Sequence, residues 1–233
     1  MLFRSDVAEL DGLRQAGLSR IEIAEVVGLA LNHLFFNRLA TLVALPPYQM
    51  EQFPDRWWVQ MLRPLLAIKF RRMRQLVDET ALREDEKSGP GAAIVNALDG
   101  LPLARDLRRV LDGIWDDTPL APRTVSLIFA VVAHAMGSEH CVNEARGLID
   151  PGELDDNDID HILAHLTSPK LTAVERVLIP FARETVWYKP AQLQRRCMEV
   201  QQQVRHDEFL HFIGVVSLVN ALCRCAFLAA ATE

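Results

Sequence analysis

The sequence predicts an all-α protein, a multi-helix bundle with an internal helical repeat, and three observations carry that expectation. Tyr occurs only twice among 233 residues, while Leu, Ala, Arg and Glu, all good helix formers, are plentiful. No stretch alternates apolar with polar side chains between Asn-Gly or Asp-Gly turns, as strands of a half-buried sheet would. Helix-start signals, by contrast, recur: Ser19 with Glu22 and Thr172 with Glu175 each have the spacing of a capping box, in which side chain and backbone satisfy each other's free amides. With half of its residues apolar, a chain of this length can bury a sizeable core.

Taken in order, a first unit begins near Val7 and breaks at Ala16-Gly17. Ser19 then opens a helix from Arg20 to about Val43, which the Pro46-Pro47 pair stops. Residues 56–74 hold the one basic stretch, with Arg56, Arg63, Lys69, Arg71, Arg72 and Arg74 among aromatic and aliphatic side chains. Pro64 interrupts it, so a solvated helix face fits better than a membrane-surface helix. A polar linker from Glu84 to Pro90 follows. Helices are expected at 103–115, 121–136 and 138–148, then from Thr172 through Thr185, with two more from Pro190 onward. Asp150, Glu153, Asp155, Asp156, Asp158 and Asp160 lack the central glycine and terminal glutamate of a calcium loop and predict a solvated loop entering a helix N-terminus.

Composition narrows the function classes. A formal charge of −6 argues against nucleic-acid binding. No uninterrupted apolar run has bilayer length, and the first residues lack the basic-then-apolar pattern of a secretory leader, so the expected location is cytoplasmic. Cys141, Cys197, Cys223 and Cys225 have neither disulfide-framework nor zinc-site spacing and read as reduced thiols. His161 and His165, four apart on one helix face, read as solvated histidines, so neither a metal nor another cofactor is expected. Cys223 and Cys225 leave their helix on different sides and are not expected to bond each other.

Residues 19–40 and 205–226 look like two copies of one unit, offset by 186. Glu22 aligns with Glu208, Gly28 with Gly214, Arg38 with Arg224 and Ala40 with Ala226, and apolar positions agree between them. Arg38 and Arg224 lie in otherwise apolar helices and are expected to close structural ion pairs.

The run Leu13-Arg14-Gln15-Ala16-Gly17-Leu18-Ser19-Arg20-Ile21-Glu22-Ile23-Ala24-Glu25-Val26-Val27, with Asn37-Arg38-Leu39-Ala40 after it, resembles the closing helices of the alkylhydroperoxidase D-like, or carboxymuconolactone decarboxylase-like, family. Leu171 to Arg176 and Phe181 to Thr185 resemble the helix that follows that family's active site, and 123–145 takes the place of its catalytic helix pair. The resemblance covers about 1–45 and 103–230. It implies three parts: 1–48, a helical pair like the end of a first repeat; 49–102, a connector and linker; and 103–233, an alkylhydroperoxidase D-like domain. The first part would complete the domain within the chain or add to a neighbouring subunit, and either arrangement implies a homo-oligomer.

The family's chemistry runs on a Cys-x-x-Cys-x-x-x-His motif at a helix start, where one thiolate attacks peroxide and the other closes a disulfide. Here the motif reads Ser138-Glu139-His140-Cys141-Val142-Asn143-Glu144-Ala145. Cys141 stands at the second cysteine, Ser138 at the first and Ala145 at the histidine, while Ser126 falls where the family has an earlier glutamate. The resemblance therefore implies a site of Cys141, His140, Glu139, Ser138 and His134, acting on peroxide with a single cysteine that needs an external or distant thiol. Cys141 as a buried structural cysteine is the competing reading. Two alternatives for the whole chain are a non-redox enzyme or binding protein for a small carboxylated ligand, and an inactive structural or regulatory partner.

Overall fold

The computed structural model describes residues 12–44, 81–116 and 119–226, which are helical throughout their regular structure; no strand occurs among them. After a helical turn at 12–15, the helices are α1 (Arg20–Leu42), α2 (Ala92–Ala97), α3 (Pro102–Trp115), α4 (Pro122–Met136), α5 (Glu139–Gly147), α6 (Asp156–His165), α7 (Ala173–Glu184), α8 (Pro190–Gln201) and α9 (His206–Cys225). The all-α expectation holds. Boundaries of the expected helices fall within a residue or two of those read from the sequence, because the signals that set them are local, whereas the short α2, with neither a capping side chain nor a proline at its start, is not anticipated from the sequence.

The caps show this. Ser19 Oγ accepts from the Glu22 amide while Glu22 returns a carboxylate to the Ser19 amide at 2.8 Å, and Thr172 and Glu175 repeat the arrangement at α7. Pro102, Pro122 and Pro190 open α3, α4 and α8 at a position where a missing N–H costs nothing. The acidic run behaves as predicted: Asp155 caps α6, whose Asp156 and Asp160 pair with Arg146 while Asp158 pairs with Lys170. The basic stretch at 56–74 lies outside the described residues.

α4 is the axis of the bundle. Every residue from Thr124 to Ala133 is buried, and α5, α7 and α9 pack around it. Phe129 meets Trp115 edge-on at 6.1 Å between ring centroids, and Phe181 meets Phe212 at 5.6 Å. Each such fully buried aromatic contributes about 1.5–3 kcal/mol of transfer free energy. Ser126 is sealed beneath this layer, accepting from Trp115 Nε1 at 3.0 Å and donating to the Pro122 carbonyl. It supports an aromatic side chain and is a packing residue.

α1 packs on α9 and α8, with Ile23, Ala24, Val27 and Leu31 in the same core as the later helices. Of the two arrangements open to the N-terminal segment, the described part thus completes the bundle within the chain. The proposed repeat partners α1 and α9 lie against each other, and both start with a glutamate bound back to the residue before the helix. Gly28 shows how close α1 comes to α3: a Cβ there would sit 2.3 Å from Leu103 Cδ2.

By length and composition α9 could cross a membrane, but 72% of its apolar window is buried inside the bundle. Its apolarity is that of a central core helix touching neighbours on most sides.

Candidate functional site

The segment between α4 and α5 is built by one glycine. Gly137 ends α4 in the left-handed region (φ 72°), and the Ser138 amide closes back on the Ala133 carbonyl at 3.0 Å. The chain then turns at once into α5 and brings Cys141 into its first turn, facing the core at 1% exposure. Ser138 makes no side-chain cap. Its hydroxyl is instead one of the groups that lower the Cys141 thiol.

A second thiol completes this contact. Cys223 of α9 is also buried, and its thiol is the largest influence on the Cys141 thiol. It outweighs burial, which pushes the other way together with the Glu144 charge, and with Ser138 it holds Cys141 below the usual thiol range. Cys223 goes in the opposite direction, raised well above that range by burial and by the Cys141 contact. Burial also pushes Cys197 up to about 11 and Cys225 up to about 12. Cys141 is thus the one thiol of the four whose environment favours the thiolate, the nucleophilic form.

The remaining residues expected at the site are placed elsewhere. Glu139, His140 and His134 are exposed, and none of the three is among the groups that shift the Cys141 thiol. His140 acts electrostatically on the half-buried Glu144, whose carboxyl the Gly91 and Ala92 amides at the start of α2 also pull down. The structure therefore brings Ser138 to Cys141, leaves both imidazoles outside, and adds Cys223, which the sequence reading did not connect with the sulfur. The repeat offers one hint: the offset that aligns Arg38 with Arg224 places Cys223 opposite Asn37.

A second region stands on the far side of the same helix. A cleft of about 440 Å³ lies between α1, the α7–α8 connection and α9, with Arg38, Arg224, Asn37, Tyr188 and Trp187 among its walls. Arg38 is 6% exposed, and its guanidinium sits 5.6 Å from the centre of the Tyr188 ring. Its Nη1 atom is buried without a hydrogen-bond partner. Arg224 donates from Nη2 to the Val186 carbonyl at 3.0 Å. The ion pairs expected for these arginines do not form: among the described residues neither has a carboxylate within salt-bridge distance. Burial first, and then the Arg224 charge, lower Arg38 to about 10, which still leaves it cationic at neutral pH.

Comparison of the chain with models of known families, with curated proteins and with solved structures finds no match. The family resemblance rests on the sequence segments and helix order described above. Among the described residues no group of three or more His, Cys, Asp and Glu side chains gathers as metal ligands would.

Proposed function

We propose that the chain is a divergent alkylhydroperoxidase D-like protein that performs thiol-dependent oxidoreduction on a dithiol formed by Cys141 and Cys223. The observation that carries this reading is the mutual influence of two buried thiols, in which Cys223 of α9 lowers the Cys141 thiol and offers the second sulfur that Ser138 does not provide. Cys141, as thiolate, attacks an oxygen of a small hydroperoxide. The O–O bond breaks, the alcohol leaves after taking up a proton, and Cys141 becomes a sulfenic acid. Cys223 then attacks that sulfur, its proton leaves with the hydroxide as water, and a disulfide joins α5 to α9. Two thiols are oxidised as one hydroperoxide is reduced, and an external thiol resets the pair.

Burial of Cys141 restricts the oxidant to small molecules and requires the first turn of α5 to open. Ser138 stabilises the thiolate, and no imidazole relay takes part. A reducing compartment such as the cytoplasm keeps the pair ready. The assembly in this reading is a homo-oligomer, for which exposed Leu29 and Phe36 on α1 provide an apolar surface.

Hydrogen peroxide added to the full chain should yield a Cys141–Cys223 disulfide in peptide mapping. Turnover with a dithiol reductant should vanish in both Cys141→Ser and Cys223→Ser. Persistence of turnover in Cys223→Ser would remove the second thiol from the mechanism. Inert sulfurs in the wild-type chain would leave an inactive relative.

A further inference from the structure

We propose that the cleft between α1, the α7–α8 connection and α9 is a binding site for a small organic dianion, a dicarboxylate or a phosphate monoester, whose charged groups Arg38 and Arg224 receive. This goes beyond the thiol chemistry and does not depend on Cys141.

The first support is the state of Arg38. A guanidinium stays charged in proteins and carries five donors in a planar fork. Inside a protein such a group is retained when a counter-charge meets it, and Arg108, Arg123 and Arg146 each have one, in Asp112, Glu175 and Asp160, even where individual nitrogens of Arg108 and Arg123 lack a hydrogen bond. Arg38 has an orphaned donor at the wall of a cleft and an aromatic face beneath it. Its strongest charged neighbour is another cation.

The second support is charge count. Among the described residues the cleft walls contribute Arg38, Arg224 and Lys189 and no carboxylate, in a chain whose overall charge is −6. Two converging arginines, with the lysine at the edge, are complemented by two negative charges. A monoanion leaves one guanidinium facing the other. The remaining walls, Leu34, Val186, Trp187 and Ala221, are apolar and suit a short carbon frame between or behind the charged groups.

The third is how the arginines come to face one cleft. α1 and α9 contain the two segments that align at an offset of 186, they pack on each other, and Arg38 and Arg224 fall at matching positions in that alignment. The site is anchored rather than loose. Thr41 Oγ1 donates to the Asn37 carbonyl at 2.7 Å and lies 3.2 Å from the Tyr188 hydroxyl, holding the ring against which Arg38 rests. Asn220, on the same wall, is fixed through Nδ2 to Thr185 and Val216, and its Oδ1 is left as a buried acceptor without a donor. A hydroxyl on the ligand would satisfy it.

The test is calorimetric titration and thermal melting of the full chain at fixed ionic strength, with succinate, phenyl phosphate, acetate and neutral succinamide as probes. Succinate or phenyl phosphate should saturate, raise Tm and bind at least roughly tenfold more tightly than acetate, since each charged hydrogen-bonding group contributes about that factor. Preference between the two dianions assigns the carboxylate or the phosphate source. Arg38→Met and Arg224→Met should each weaken the favoured dianion roughly 10- to 100-fold. Should either fail to fold, Asn37→Asp, which places a carboxylate at the cleft wall, should abolish the response with both arginines in place. Succinamide matching succinate, equal binding by Arg38→Met, or no dianion exceeding chloride at equal ionic strength overturns the proposal.

Discussion

Arg123 and Arg38 are both arginines drawn into the bundle, and they differ in what meets them. Arg123, on α4, donates to Glu175 at 3.0 Å and to the Lys170 carbonyl at 2.8 Å, and Glu175, 1% exposed, also accepts from Thr124 at 3.0 Å. That cluster is neutralised: the carboxylate that caps α7 meets the guanidinium and ties α4 to α7, although Arg123 Nε keeps no hydrogen-bond partner. Arg38, on α1, has an aromatic ring, a neighbouring cation and an empty donor. One region uses arginine to finish the fold; the other keeps its electrostatics unfinished, which is the condition of a site awaiting a charged partner.

The largest effect should come from opening the neutralised cluster. Glu175→Gln keeps the shape but leaves Arg123 uncompensated and weakens the cap, and it should cost about 3–5 kcal/mol in urea unfolding. A loss under about 1 kcal/mol would erase the distinction between the two regions. The same type of change at the other region should run the opposite way. Arg38→Met removes a buried charge that lacks a counter-ion, forfeits a cation–π contact, and should raise the stability of the ligand-free protein by about 1 kcal/mol. Marked destabilisation would make Arg38 a structural residue like Arg123.

These contrasts mark how far the sequence could be read. Ser19, Thr172 and the three prolines at helix starts fixed element boundaries because capping is decided within four residues. The burial of α4 followed from its unbroken apolar run. Cys141 was legible as a helix-start thiol from the motif it partly preserves, and Ser138 from the same register. Cys223 was not, since its contact joins helices far apart in the chain, and residue spacing along α9 says nothing about what its face meets. The two arginines were paired by the repeat yet assigned to ion pairs. Only the three-dimensional arrangement shows that no acid among the described residues reaches them. The imidazoles make the converse case: neighbours on a helix project roughly 100° apart, so His140, adjacent to Cys141 in sequence, faces solvent while Cys141 faces the core.

A direct way to convert one region into the other is to supply the missing acid. Asn37 lines the cleft next to Arg38, and Asn37→Asp introduces a carboxylate without changing side-chain size. The variant should melt higher than wild type by an amount equivalent to about 0.5–1 kcal/mol, the gain diminishing in added salt as for a partly exposed pair. An unchanged or lowered Tm at low salt would mean that the cleft's positive charge is already compensated.

Glu144 sharpens the comparison from the acidic side with the smallest effect. Burial raises its carboxyl above the usual glutamate range, while His140, the Gly91 and Ala92 amides and Arg108 pull it down without fully compensating. A carboxyl whose folded pKa lies above its unfolded one binds its proton more tightly in the folded chain. Its stabilising contribution is therefore complete below the unfolded glutamate value, near 4.3, and is lost as pH rises through the folded value. Glu144→Gln keeps the size and polarity of the side chain and removes that titration. Wild type and variant should differ by under about 1 kcal/mol, with the wild type losing ground relative to the variant as pH rises from about 4 towards neutrality. Stability curves that stay parallel over that interval would show Glu144 to be solvated, and would leave Arg38 as the uncompensated charge on which the contrast turns.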